Sequence, residues 1–99
     1  MLRITESRGS RSTTLYISGK INDTTSTQLQ NEIFRAAKLT KSIDLDFSDV
    51  ETINGAGCQV ILSGIRLTAS RKGTITVHNP NSKVKIEMQK EGLGKVLVN

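Results

Sequence analysis

Ninety-nine residues, 35% of them hydrophobic and 23% charged, are enough to bury one core and exclude a disordered polymer. The aromatics are only Tyr16, Phe34 and Phe47, so that core must be aliphatic, and the single Cys58 excludes an internal disulfide framework and suits a reducing cytoplasm. Fourteen Lys and Arg against nine Asp and Glu give a formal charge of +5, which reads as a solvated surface with a preference for acidic partners, while no apolar stretch approaches the roughly 18 residues of a membrane span.

In chain order, Leu2 and Ile4 alternate with polar neighbours and predict a strand; the polar stretch from Glu6 to Ser12 reads as a connection. Thr13–Ser18, with Leu15 and Ile17 on one side, predicts a second strand antiparallel to the first, and Gly19 marks its exit. Thr25 and Gln28 fit a capping box, and Leu29, Ile33 and Ala37 recur at four-residue spacing, giving an amphipathic helix over about 24–38. Ser42–Phe47 alternates Ile43, Leu45 and Phe47 with Asp44 and Asp46, a third strand. Asn54-Gly55-Ala56-Gly57 precedes an apolar face of Cys58, Ile61, Leu62, Ile65 and Ala69, so a second helix spans about 56–71 with Asn54 or Gly55 near its cap. Gly64 inside that helix implies close packing. Thr74–His78 is a fourth strand, Val84 and Met88 mark a short third helix with Ser82 as a cap candidate, and Val96–Val98 closes the chain as a short strand. The order ββαβαβαβ calls for a single α/β domain over residues 1–99. Its mixed, mostly parallel sheet of four or five strands is covered by helices.

The chemistry available to a catalyst is thin. One histidine (His78) and one cysteine (Cys58) cannot make a metal cluster alone, and no acids stand at recognisable ligand spacing; neither metal nor cofactor is expected. A Cys58 in the first turn of its helix would have its thiolate favoured. Asp44–Asp49 begins like a calcium loop but lacks glycine at the sixth position and glutamate at the twelfth, and alternates as a strand does. Gly55 and Gly57 are followed by no G-K-[ST], so they form no phosphate loop, although a small-residue helix entry leaves weak anion binding open. The bases are scattered, never more than two in succession, with no aromatics between them, so nucleic acid is not an expected partner. The polar alternation at the N-terminus is unlike a signal segment, and no membrane insertion is expected.

Three segments taken together resemble a STAS domain, the fold of the bacterial anti-sigma factor antagonists. They are Leu15-Tyr16-Ile17-Ser18-Gly19-Lys20-Ile21-Asn22; the stretch Ile43-Asp44-Leu45-Asp46-Phe47-Ser48-Asp49-Val50-Glu51-Thr52-Ile53-Asn54-Gly55-Ala56-Gly57; and Gly73–Val77 with Asn81–Leu97. The first is similar to the family's strand followed by G-x-(I/L)-D. The second is similar to its strand, D-(F/L)-S-x-V and I-D-S-S/T-G loop. The resemblance implies a non-enzymatic cytoplasmic module that switches partners: an anti-sigma kinase phosphorylates the loop serine, and the added charge expels the kinase. Here Gly55 occupies the phosphoserine position and Ala56 the next, and the family's two aspartates fall on Asn22 and Asn54, so phosphate cannot switch this loop at its usual place.

The resemblance therefore implies a binding lip of Asn22, Asp23, Asn54, Gly55, Ala56, Gly57 and Cys58 on a monomer or weak dimer. Its partner would be a GHKL-type anti-sigma serine kinase or a related phosphatase-regulator, bound constitutively. The alternative is a STAS subunit of a lipid- or anion-transport system, docked on an ABC ATPase. An engineered Ser→Ala change at Ala56, locking the unphosphorylated state, stays open, as does the reading of Asn54–Gly57 as a plain strand-to-helix connection.

Overall fold

The computed structural model describes residues 2–98. The elements are β1 (Arg3–Arg8), β2 (Ser12–Ile21), α1 (Ser26–Leu39), β3 (Ser42–Ile53), α2 (Gly55–Ser70), β4 (Thr74–His78), α3 (Ser82–Lys90), a 3-10 turn (Gly94–Val96) and β5 (Leu97–Val98). The sheet runs β1-β2-β3-β4-β5, with β1 antiparallel to β2 and every later pair parallel.

That order dictates the layering. Three successive crossovers each step one strand in the same direction, and right-handed crossovers in a constant direction place every helix on one face of the sheet. Burial agrees: Leu15, Ile17, Ile43, Leu45, Phe47, Ile75 and Val77 face the helices and are buried, meeting Leu29 and Ile33 of α1, Cys58 and Ile61 of α2, and Val84 and Met88 of α3. The opposite face carries Thr5, Tyr16, Asp46 and His78 side by side, with Asp44 and Thr76 in the adjacent row, and no helix among the described residues covers it. Gly64 packs α2 tightly, since a Cβ there would sit 2.7 Å from Ile33 Cγ2 and 3.0 Å from Ile75 Cδ1.

Three expectations change. β3 does not stop at Phe47 but continues to Ile53. Two register shifts against β2, between Tyr16 and Ser18 and between Gly19 and Lys20, give β3 an extra residue each time. The buried positions therefore move from Phe47 to Val50 to Ile53, and the period of two is lost although the strand goes on. At the first shift Asp46 Oδ1 accepts from Ser48 N at 2.9 Å and Ser48 Oγ at 2.7 Å. Gly19 is likewise no exit: β2 passes through it at φ 118°, which only glycine adopts freely, and ends at Ile21. β1 extends through the stretch expected to be a connection, reaching Arg8.

The capping box of α1 is also absent. Thr25 makes no side-chain cap; its Oγ1 donates to Lys20 O at 2.8 Å, while Gln28 Nε2 reaches across to Leu2 O at 3.0 Å. At α3 the cap is Asn81 rather than Ser82: Asn81 Oδ1 accepts from Val84 N at 2.9 Å and its Nδ2 donates to Val50 O at 3.0 Å, fastening the helix to β3.

Candidate functional site

The parallel strands β2 and β3 finish at the same end of the sheet, at Ile21 and Ile53, and each hands over to a helix. Asn54 N donates to Ile21 O at 3.1 Å, which brings the two exits together. The β2–α1 turn is built around Asn22. Its Oδ1 accepts from Thr24 N at 3.0 Å and Thr25 N at 3.1 Å, while its backbone N–H donates to Thr25 Oγ1 at 2.9 Å. An asparagine turn of this kind fixes the entry into α1, whose first N–H, that of Ser26, donates to Asn22 O at 2.8 Å.

Asn54 is the cap of α2. Its Oδ1 accepts from Gly57 N at 3.1 Å, and its Nδ2 donates to Asp23 Oδ1 at 2.8 Å. The carboxamide thus ties both turns into one lip. An aspartate at 54 would keep the cap but could not donate to Asp23.

The glycines in the lip have different reasons. A Cβ on Gly57 would lie 2.5 Å from Ile21 Cγ2 and 2.8 Å from Ile53 Cγ1, so only glycine lets the first turn of α2 press on the ends of the two strands. A Cβ on Gly55 would meet nothing within 4 Å. Gly55 and Ala56 are half-buried at the start of α2, beside exposed Asp23 and half-buried Asn22 and Asn54. Gly57 and Cys58 are buried, Cys58 to 1% exposure, and lie behind the lip rather than on its surface.

Cys58 is not activated. Burial pushes its thiol up to about 11, with Glu91 and then Glu87 of α3 adding to the rise, against the thiolate that a first-turn position would favour. His78 stands at the other face, its Nε2 3.0 Å from Thr76 Oγ1 and 3.5 Å from Asp44 Oδ1. Among the described residues, no three His, Cys, Asp or Glu gather into a potential metal site, and no helix is long and apolar enough to cross a membrane.

One surface residue went unnoticed in the sequence. Ile86 of α3 is 58% exposed and lines a shallow groove with Thr52, Ile53, Lys83 and Glu87, next to the strand end that leads into Asn54. The available signal was an isoleucine two residues away from each of Val84 and Met88, off the buried stripe of a short helix.

The family model described as "Mlab, STAS domain" matches residues 4–99. The chain belongs to the STAS family. No curated protein sequence matches it. Among solved structures, this STAS domain is similar to the anti-sigma factor antagonist SpoIIAA of Bacillus in its unphosphorylated form, at TM-score 0.87 and 17% identity over 97% of this chain and 86% of that one. It is similar to a putative anti-sigma factor antagonist from Thermotoga maritima (TM-score 0.85, 21% identity, 95% of this chain and 82% of that one). A Mycobacterium paratuberculosis antagonist also matches, with TM-score 0.81 and 17% identity over 98% of this chain and 83% of that one. At these identities the likeness is one of fold, a five-stranded mixed sheet with three helices, and the family match makes the chain a STAS binding module.

Proposed function

We propose that this STAS domain is the small binding subunit of a lipid-transport ABC system and grips the ATPase with the lip of Asn22, Asp23, Asn54, Gly55 and Ala56. The observation that carries this reading is the match of the Mlab family model to residues 4–99, joined to a lip without a hydroxyl at Gly55 or Ala56. A subunit held permanently in a transport complex has no need of a phosphate switch there. The chemistry of the contact is surface complementarity: small side chains at the start of α2 admit a partner's backbone closely, Asp23 supplies a fixed carboxylate, and exposed Ile86 adds an apolar contact beside it.

The second reading is constitutive sequestration of a GHKL-type anti-sigma serine kinase, supported by the likeness to SpoIIAA. Both readings use the same lip. Titration calorimetry with a lipid-transport ABC ATPase from the same source cell tests the first. Gly55→Asp and Ala56→Asp place charge on the contact and should each weaken binding about tenfold or more. Unchanged affinity in both removes the lip from the interface. Affinity capture followed by mass spectrometry separates the readings, since the first recovers a permease-associated ATPase and the second a kinase.

A further inference from the structure

No more than two of the fourteen bases are consecutive, and along the chain they look dispersed. The fold gathers them. β1 ends and β2, β3 and β4 begin at the pole remote from Gly55, and α1 and α2 finish there. Ser42 N donates to Arg11 O at 3.3 Å and Thr74 N to Lys41 O at 2.8 Å, which locks these connections side by side. Arg71 Nη1 donates to Ala37 O at 3.2 Å, joining the ends of the two helices.

Exposed Arg8, Arg11, Lys38, Lys41, Arg71 and Lys72 therefore share one pole. With these six set aside, eight bases face nine acids over the rest of the chain, so this pole holds the whole positive excess. The two helix C-termini contribute about half a negative charge each, far less than six cations. Among the described residues, only Arg8 of the six has a carboxylate within ion-pair distance, Glu6 at 3.9 Å. Within the pole lies a cleft of about 580 Å³ lined by Arg11, Lys38, Lys41, Arg71 and the 51% exposed Leu39, with no acid in its wall. Lys72 adds a second kind of observation. It holds φ 62° at the end of α2, a left-handed backbone that glycine takes without strain, and so keeps a cation at a conformational cost.

We infer that this pole is a docking cleft for an acidic polypeptide segment that carries apolar residues. Guanidinium and ammonium groups match carboxylates, Leu39 supplies an apolar contact, and a concave cleft receives a chain more readily than a flat bilayer. No aromatic lines the cleft for nucleobase stacking. The surface lies at the other end of the sheet from the lip and stands independently of the proposed function.

The test is fluorescence anisotropy at low salt with a labelled peptide alternating glutamate and leucine, beside a single-stranded DNA oligonucleotide and phosphatidylserine vesicles. The peptide should bind the parent protein most tightly. Arg11→Glu combined with Lys41→Glu should weaken it about tenfold or more, while Lys83→Glu with Lys95→Glu, the same charge change elsewhere, should stay within about twofold. Leu39→Ser should also weaken binding. Lys72→Gly should weaken it about twofold while raising the thermal midpoint, which separates ligand capture from folding. Circular dichroism checks that each variant is folded. No binding by the parent, equal losses in the two charge-reversed pairs, or preference for the oligonucleotide or the vesicles would overturn the inference.

Discussion

Asn54 Nδ2 donates to Asp23 Oδ1 at 2.8 Å across 31 residues of chain, while the same side chain caps α2 through Gly57 N. One carboxamide thus holds the cap and the brace between two turns. Asn54→Ala removes both and should cost about 1–2 kcal/mol; Asn54→Ser restores the cap acceptor and should recover about half of that. Urea denaturation checks it, with the midpoint falling and the slope unchanged.

Gly55 and Gly57 are two residues apart and should respond oppositely. Gly57→Ala drives a methyl into Ile21 and Ile53 and should destabilise by about 1–3 kcal/mol. Gly55→Ala meets open space and should stay within about 0.5 kcal/mol of the parent or exceed it. Equal thermal midpoints for the two variants would contradict the packing described for the first turn of α2.

Gly55→Asp carries the same logic into binding. The position is open and stands at the start of a helix, where a carboxylate is favoured by about 0.3–1 kcal/mol, so the variant should fold at least as well as the parent. Its affinity for the proposed partner should nevertheless fall. A joint loss of thermal stability and affinity would instead trace the binding defect to misfolding.

Thr13 and Thr40 face each other in the core with hydroxyl oxygens 2.8 Å apart; Thr13 is fully buried. Thr40→Val leaves the Thr13 hydroxyl unpartnered and should cost about 1–2 kcal/mol. Replacing both by valine should cost less than the sum of the single changes, by about 1 kcal/mol in a double-mutant cycle. Strict additivity would mean that the hydrogen bond contributes nothing.

Cys58 sets a limit on alkaline stability. Its folded thiol lies at about 11 against an ordinary 9.0, raised by burial first and by Glu91 and Glu87 after it. The folded state holds the proton more tightly, so this contribution is complete below pH 9 and is lost as the pH rises towards 11. The stability advantage of the parent over Cys58→Ala should therefore narrow across that window, and parallel stability curves would refute it. Alkylation by iodoacetamide at pH 8 should be slower than for a free thiol.

The element order, the antiparallel start of the sheet and the start of α2 at Asn54 or Gly55 were legible in the chain, because each rests on a local signal: alternation, four-residue spacing, or asparagine before a small-residue helix start; the structure decides the cap for Asn54. What escaped were features made by pairing. The phase of β3 changes at its register shifts with β2, and Gly19 needs its partner strand before it reads as mid-strand. Thr25 and Gln28 match a capping box locally, yet Lys20 O and Leu2 O claim their side chains. Of the lip, the resemblance named Asn22, Asp23, Asn54 and Gly55 as neighbours, whereas the Asn22 turn, the Asn54–Asp23 bond, the burial of Cys58 and the exposure of Ile86 depend on how the helices sit on the sheet. The basic pole was invisible because its six members lie in or beside three connections that only the fold brings together.

The empty space above Gly55 has an evolutionary consequence. A serine side chain could be introduced there by one amino-acid replacement, without repacking Ile21, Ile53 or the helix behind them. The backbone is therefore compatible with either a permanent grip or a covalently controlled one, and descendants of a common ancestor could move between the two regimes with the scaffold untouched.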